Sequence, residues 1–108
     1  MKSDSIYIEH IQSSILSIQE YISGMDLAAF LDDHKTQDAV VRQFEIIGEA
    51  TKRISLEYRE KHSEIPWSDM AGMRDVLIHD YIDVNFEIVW KSATENIPLI
   101  KQAFSELK

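Results

Sequence analysis

Five isoleucines, Ile8, Ile11, Ile15, Ile18 and Ile22, recur at alternating steps of three and four residues. Such a seam keeps to one face only if the chain turns with a period near 3.6, so this segment is an amphipathic helix and not a strand. Ser3 to Ser5 supply small polar caps for its free amides, and Gly24 stops it just beyond Ser23. A helix with a single apolar stripe must bury that stripe against other elements. The rest of the chain therefore has to provide matching faces.

It does so three more times. Thr36 is placed to cap a long helix running to about His62, with Val40, Phe44, Ile47, Ile54 and Tyr58 on one face. Gly48 in its middle costs about 1 kcal/mol relative to Ala, which a tight helix crossing would justify. Pro66 forces Ile65 into extended geometry and suits a first turn, so a further helix begins between Pro66 and Ser68, with Trp67, Met70, Met73 and Leu77 facing inward. Asn85 caps the last helix, with Val84 and Val89 spaced as a hydrophobic staple and Ala93, Ile97, Ile100, Phe104 and Leu107 continuing its seam. Pro98 removes one backbone hydrogen bond there and is expected to kink it. A short helix over Asp26 to Leu31, capped by Asp26, lies between the first two long ones, with Phe30 plugging one end of the core and Asp32 to Lys35 as a polar connection; Asp80 to Val84 connects the last two. The expected fold is all-α, a bundle of four main helices plus one short helix, in a single domain over residues 1–108.

Composition narrows the function. With no Cys, disulfides, thiolate zinc sites and thiol nucleophiles are excluded. His10, His34 and His62 show no paired ligand spacing, and there is no phosphate-binding Gly-rich loop, so no metal site and no cofactor are expected. Nothing resembles a signal peptide or a membrane span, and a cytoplasmic location is expected. The net charge of -8 argues against indiscriminate nucleic-acid binding. One stretch runs the other way: Lys52, Arg53, Arg59 and Lys61 face only Glu57 and Glu60 between Lys52 and His62, either as a solvated helix face or as a steering surface for RNA.

The chemistry is concentrated in Met70 to Tyr81. Arg74 offers a fixed cationic fork suited to phosphate, His79 a proton exchangeable near neutral pH, and Tyr81 a hydroxyl. Asp75, four residues before His79, can sit beside the imidazole, orient it and favour its charged form. On an ideal helix Arg74 and His79 lie roughly 140° apart around the axis. Either the helix ends near His79 and the side chain turns back, or Arg and His from two symmetry-related copies meet across an interface.

Arg, four residues, His, one residue, Tyr resembles the motif of HEPN ribonuclease toxins of the HepT type. Ile47-Gly48-Glu49-Ala50 resembles that family's Gly-Glu-Ala helix, Ile65-Pro66-Trp67 its Pro-Trp helix start, and Val89-Trp90 with Ile97-Pro98-Leu99 its final helix, so nearly the whole chain is covered. The resemblance implies a homodimeric HEPN-like bundle, a toxin of a type VII-like toxin–antitoxin pair that cuts RNA in a cleft between protomers. Arg74 and His79 would be catalytic, Asp75 supporting, and cleavage metal-independent with a 2′,3′-cyclic phosphate product. Tyr81 would be the acceptor of AMP from an MntA-like nucleotidyltransferase antitoxin. HEPN-like bundles also occur as non-enzymatic binding modules beside nucleotidyltransferases, a role the acidic charge would suit.

Overall fold

In a computed structural model that describes residues 3–77 and 84–107, with the side chains of Arg74, Val76 and Leu77 outside that description, every regular element is helical. Helix α1 spans Asp4–Ile22, and Ser3 caps it by accepting a hydrogen bond from the Ser5 amide. Its isoleucine seam is the floor of the core. Ile11, Ile15 and Ile18 are at most 1% exposed, which at roughly 1.5–3 kcal/mol per buried side chain makes this seam a major source of stability. The helix stops where Gly24 adopts a positive φ of 79°, a conformation other residues reach only with strain.

Helix α2, Leu27–Leu31, is capped by Asp26 as its sequence predicts, and Phe30 is fully buried with its ring against Trp90 and Phe86 at centroid distances of 5.2 and 6.4 Å. The corner into the next helix is fastened by buried Gln37, whose Nε2 donates to the carbonyls of Phe30 and Leu31 at 2.9 and 3.0 Å. Helix α3 is His34–Arg53, and its cap is Asp33, not Thr36. One Asp33 oxygen accepts from the Thr36 amide and the other from the Thr36 hydroxyl, so the expected polar connection is largely the cap and first turn of α3.

Nor does α3 continue to His62. Ile54 is extended, with its side chain buried, and Ser55 caps a separate helix α4, Leu56–Lys61, by accepting from the Tyr58 amide. The break is held from outside. The Asp4 carboxylate at the start of α1 accepts from both the Ser55 amide and the Ser55 hydroxyl, at 2.8 and 2.7 Å.

Helix α5 is Trp67–Leu77, beginning inside the predicted window, with Trp67, Met70 and Met73 buried. Helix α6, Phe86–Lys91, is capped by Asn85, which accepts from the Glu87 and Ile88 amides. A π turn, Ser92–Asn96, then runs directly into α7, Ile97–Ser105. The irregularity anticipated at Pro98 takes this form: the Ile97 amide bonds back to Ser92, and Pro98 enters in the first turn of α7, where its missing N–H is tolerated. The described residues thus form four long helical runs and two short helices, one more than expected because α3 is interrupted. Helix α3 lies between α1 and α5, and α6 with α7 closes the core over Val89, Ala93, Ile97, Ile100 and Phe104. No helix among the described residues is long and apolar enough to cross a membrane.

Candidate active site

Helix α5 carries Arg74 and Asp75, two of the predicted site residues, and its N-terminal end is fixed from three directions. The Ile65 side chain is buried ahead of it, the Trp67 indole N–H donates to the His62 carbonyl at 2.9 Å, and the Met70 amide bonds to the Pro66 carbonyl at 3.0 Å. The Trp67 ring sits edge-on to Phe104 of α7 and to Tyr58 of α4, at 5.7 and 6.0 Å. One aromatic residue therefore couples α5 to two neighbours, and Met70 and Met73 extend the anchorage into the core. Burial, helped by the carboxylates of Asp4 and Glu64, pushes the Tyr58 hydroxyl above the ordinary tyrosine range, so this ring remains a neutral packing element.

Arg74 follows directly on this anchored part of α5, two turns from Trp67, and Asp75 beside it is exposed. His79 and Tyr81 lie outside the described residues, so the predicted proximity of Asp75 to His79, and the meeting of Arg74 with His79, lie outside them too.

The predicted cationic stretch is divided between two helices. Lys52 and Arg53 are exposed on the last turn of α3, whereas Arg59 and Lys61 occupy the last turn of α4, with Lys61 exposed and Arg59 half-buried. The Nε of Arg59 is buried without a hydrogen-bond partner. In Gly48-Glu49-Ala50, Gly48 and Ala50 are buried on the core side of α3, and Glu49 is exposed in a groove shared with Tyr7, His10, Arg42 and Arg53.

A second face of α5 escaped the sequence reading. Between α5 and the π turn lies a cleft of about 490 Å³, lined by Ser68, Gly72 and Met73 on one side and Ser92, Asn96 and Leu99 on the other. The sequence carries no distinctive signal for it, because Val89, Ala93 and Ile97 at two successive steps of four also fit the apolar stripe of an ordinary α-helix.

Comparison with known proteins places these features in a family. The family described as "Ribonuclease HepT-like" matches residues 11–107. A protein from Thermococcus cleftensis named "Probable ribonuclease HepT" is 44% identical over 107 residues, covering 99% of this chain and 97% of its own. A protein from Caldanaerobacter subterraneus named "Putative RNase" is 41% identical, covering 99% and 96%. A Methanocaldococcus jannaschii protein named "Gamma-glutamylcyclotransferase and putative RNase" is 42% identical over 94% of this chain, which spans 46% of that longer protein. No solved structure matches. With the match running from the middle of α1 to the residues after α7, and identity above 40% over nearly the full length of two relatives, this chain belongs to the HepT-like ribonuclease family.

Proposed function

We propose that this protein is an endoribonuclease that uses Arg74 and His79 on RNA. The observation that carries the reading is that a member of the HepT-like ribonuclease family presents Arg74, His79 and Tyr81 at the spacing of that family's motif, with Arg74 directly following the anchored part of α5. His79 withdraws the proton of an RNA 2′-hydroxyl, whose oxygen attacks the adjacent phosphorus. The bond to the 5′-oxygen breaks, and a proton from the imidazolium or from water goes to that oxygen. The products are a 2′,3′-cyclic phosphate and a 5′-hydroxyl. Arg74 stabilises the extra negative charge on phosphorus as it develops, and Asp75 orients the neutral imidazole and stabilises the imidazolium that forms when it takes the proton. All reacting groups belong to RNA or to these side chains, so the cleavage needs no metal.

The roughly 140° between Arg74 and His79 on an ideal helix fits either a side chain turned back at the helix end or a site completed by a second protomer, and the family resemblance favours the second protomer. Lys52, Arg53, Arg59 and Lys61 supply local attraction for phosphate on an otherwise acidic protein. In this reading the protein is the toxin of a toxin–antitoxin pair in the cytoplasm. A nucleotidyltransferase partner silences it: the Tyr81 oxygen attacks the α-phosphate of ATP, pyrophosphate leaves, and the resulting AMP ester blocks RNA by charge and bulk.

The decisive experiment is incubation with defined RNA in excess EDTA, followed by identification of the new ends. Cyclic phosphate and 5′-hydroxyl ends from wild type, and none from His79→Ala, are expected. Ends bearing a 5′-phosphate, or cleavage that survives the substitution, would refute the mechanism.

A further inference from the structure

Gly48 and Ala50 are buried in the packing of α3, and Glu49 between them is exposed in a groove of about 490 Å³ between α1 and α3. On α3 the groove residues Arg42, Glu45, Glu49 and Arg53 follow one another at steps of three and four, on the side turned away from buried Phe44, Ile47 and Thr51. The groove therefore opens on the outer face of the α1–α3 pair. Its α1 wall holds Tyr7 and His10, whose rings stand at 88° to one another with centroids 6.2 Å apart, forming a corner. Helix α5, which carries Arg74, packs on the other flank of α3, so the groove lies roughly one helix diameter, about 10–12 Å, from it.

Each of these groups has a use on single-stranded RNA. Arg42 and Arg53 stand at the two ends of the α3 row, three helical turns or roughly 16 Å apart, which suits the phosphates flanking a dinucleotide. Glu45 and Glu49 lie between them and repel phosphate, which turns the sugar–phosphate chain outward and the base inward. A base laid flat on one ring of the Tyr7–His10 corner meets the edge of the other, and stacking on aromatic side chains is the usual anchor of an unpaired base. The Glu49 carboxylate then decides which base. It only accepts, through two oxygens side by side, and guanine is the RNA base whose Watson–Crick edge offers two adjacent donors, N1–H and the 2-amino group.

We infer that the groove between α1 and α3 is a base-reading subsite for an unpaired guanine of the RNA. Glu49 accepts from N1–H and the amino group, the Tyr7–His10 corner holds the ring, and Arg42 and Arg53 hold the flanking phosphates. The inference rests on the reading that RNA is the substrate, and it adds a selectivity to it: the strand is cut within a few nucleotides of a guanine held one helix away from α5. Glu49 acts in binding and takes no part in the chemical step.

Binding is read on His79→Ala protein, to keep the RNA uncut, by fluorescence anisotropy of labelled single strands about twelve nucleotides long at about 100 mM salt. Each strand is uridine except for one guanosine, inosine or adenosine. The guanosine strand should bind at least about tenfold more tightly than the adenosine strand, with inosine, which lacks the 2-amino group, in between. In the same background Glu49→Gln should erase that preference, and Arg42→Ala should weaken all three strands alike and lower the salt slope by about one. A Glu49 that only repels RNA gives a different pattern, in which Glu49→Gln raises all three affinities together and leaves their ratio unchanged. Equal binding of the three strands, a preference that survives Glu49→Gln, or a salt slope untouched by Arg42→Ala would each overturn the subsite. If a variant unfolds, a 6-thioguanosine strand photocross-linked to the His79→Ala protein decides the matter: attachment at Tyr7 or His10 is expected, and attachment only elsewhere overturns the inference. Cleavage of the same strands by wild type separates the two ideas. Cleavage without any base preference in binding leaves the ribonuclease and removes the subsite; a guanosine preference without cleavage does the reverse.

Discussion

Asp4 and Ser55, 51 residues apart in sequence, are joined by two hydrogen bonds of 2.8 and 2.7 Å from the Ser55 amide and hydroxyl to the same carboxylate. The first turn of α1 thereby holds the break between α3 and α4, and the hydroxyl oxygen that donates to Asp4 also caps α4. Asp4→Ala should lower stability by about 1–2 kcal/mol, the scale of losing a helix-terminal side-chain partner, read as a lower urea midpoint with unchanged slope. Asp4→Asn should recover part of the loss. Equal stability of all three proteins would mean that the break does not depend on this bond.

Arg74→Ala and His79→Ala should each reduce RNA cleavage by about a hundredfold or more, the usual contribution of a positioned acid, base or charge stabiliser. Their urea midpoints should stay close to wild type, because the groups are proposed for chemistry and not for packing. A variant that cuts at the wild-type rate removes its residue from the mechanism.

Tyr81→Phe keeps the ring and removes the nucleophilic oxygen. Incubated with a nucleotidyltransferase partner, ATP and magnesium, wild type should gain the mass of one or more AMP groups and the variant none. Peptide mapping that puts AMP on another residue, with Tyr81 untouched, would reassign the acceptor.

Asp33 gives a pH signature. The amide of Thr36, then its hydroxyl, hold the Asp33 carboxyl below its usual range. A carboxylate whose folded pKa is depressed contributes stability that is complete above the unfolded value of about 3.8–3.9 and is lost as pH falls through the folded value. Asp33→Asn, which keeps a capping oxygen but does not titrate, should show a shallower fall of melting temperature below about pH 4 than wild type. Parallel curves would show that the cap is not linked to protonation.

Much of this architecture is legible locally. The isoleucine seam, the Asp26 and Asn85 caps and the Pro66–Trp67 start of α5 each depend on residues within a turn or two, and each falls where its spacing puts it. The interruption of α3 does not. Ile54 and Tyr58 stand four residues apart as a continuous helix would place them, and the partner that stabilises the break, Asp4, lies at the far end of the sequence. The Asp33 cap was hidden for a different reason: Asp33 and Thr36 are both good capping residues, and only their mutual bonds show which one caps. For the candidate site, spacing nominates Arg74, Asp75, His79 and Tyr81, whose meeting lies outside the described residues, whereas the hollow over Gly72 emerges only when α5 and the π turn are set side by side.

The π turn also gives this protein an unusual tolerance. Deleting one residue from a helix ordinarily swings everything beyond it by about 100° and takes the apolar face off the core. Here the final helix carries one residue more than an α-helical path needs, and Val89, Ala93 and Ile97 keep to the core at steps of four because the wide turn absorbs the surplus. Removing exposed Glu95 would restore an α-helical step between Ala93 and Ile97, leaving both flanking faces on the core. The remaining obstacle would be the Pro98 ring, stranded in a helix interior. Glu95 deletion combined with Pro98→Ala should therefore fold as a straightened helix, making this one of the few places where the chain can be shortened inside a helix without turning that helix inside out.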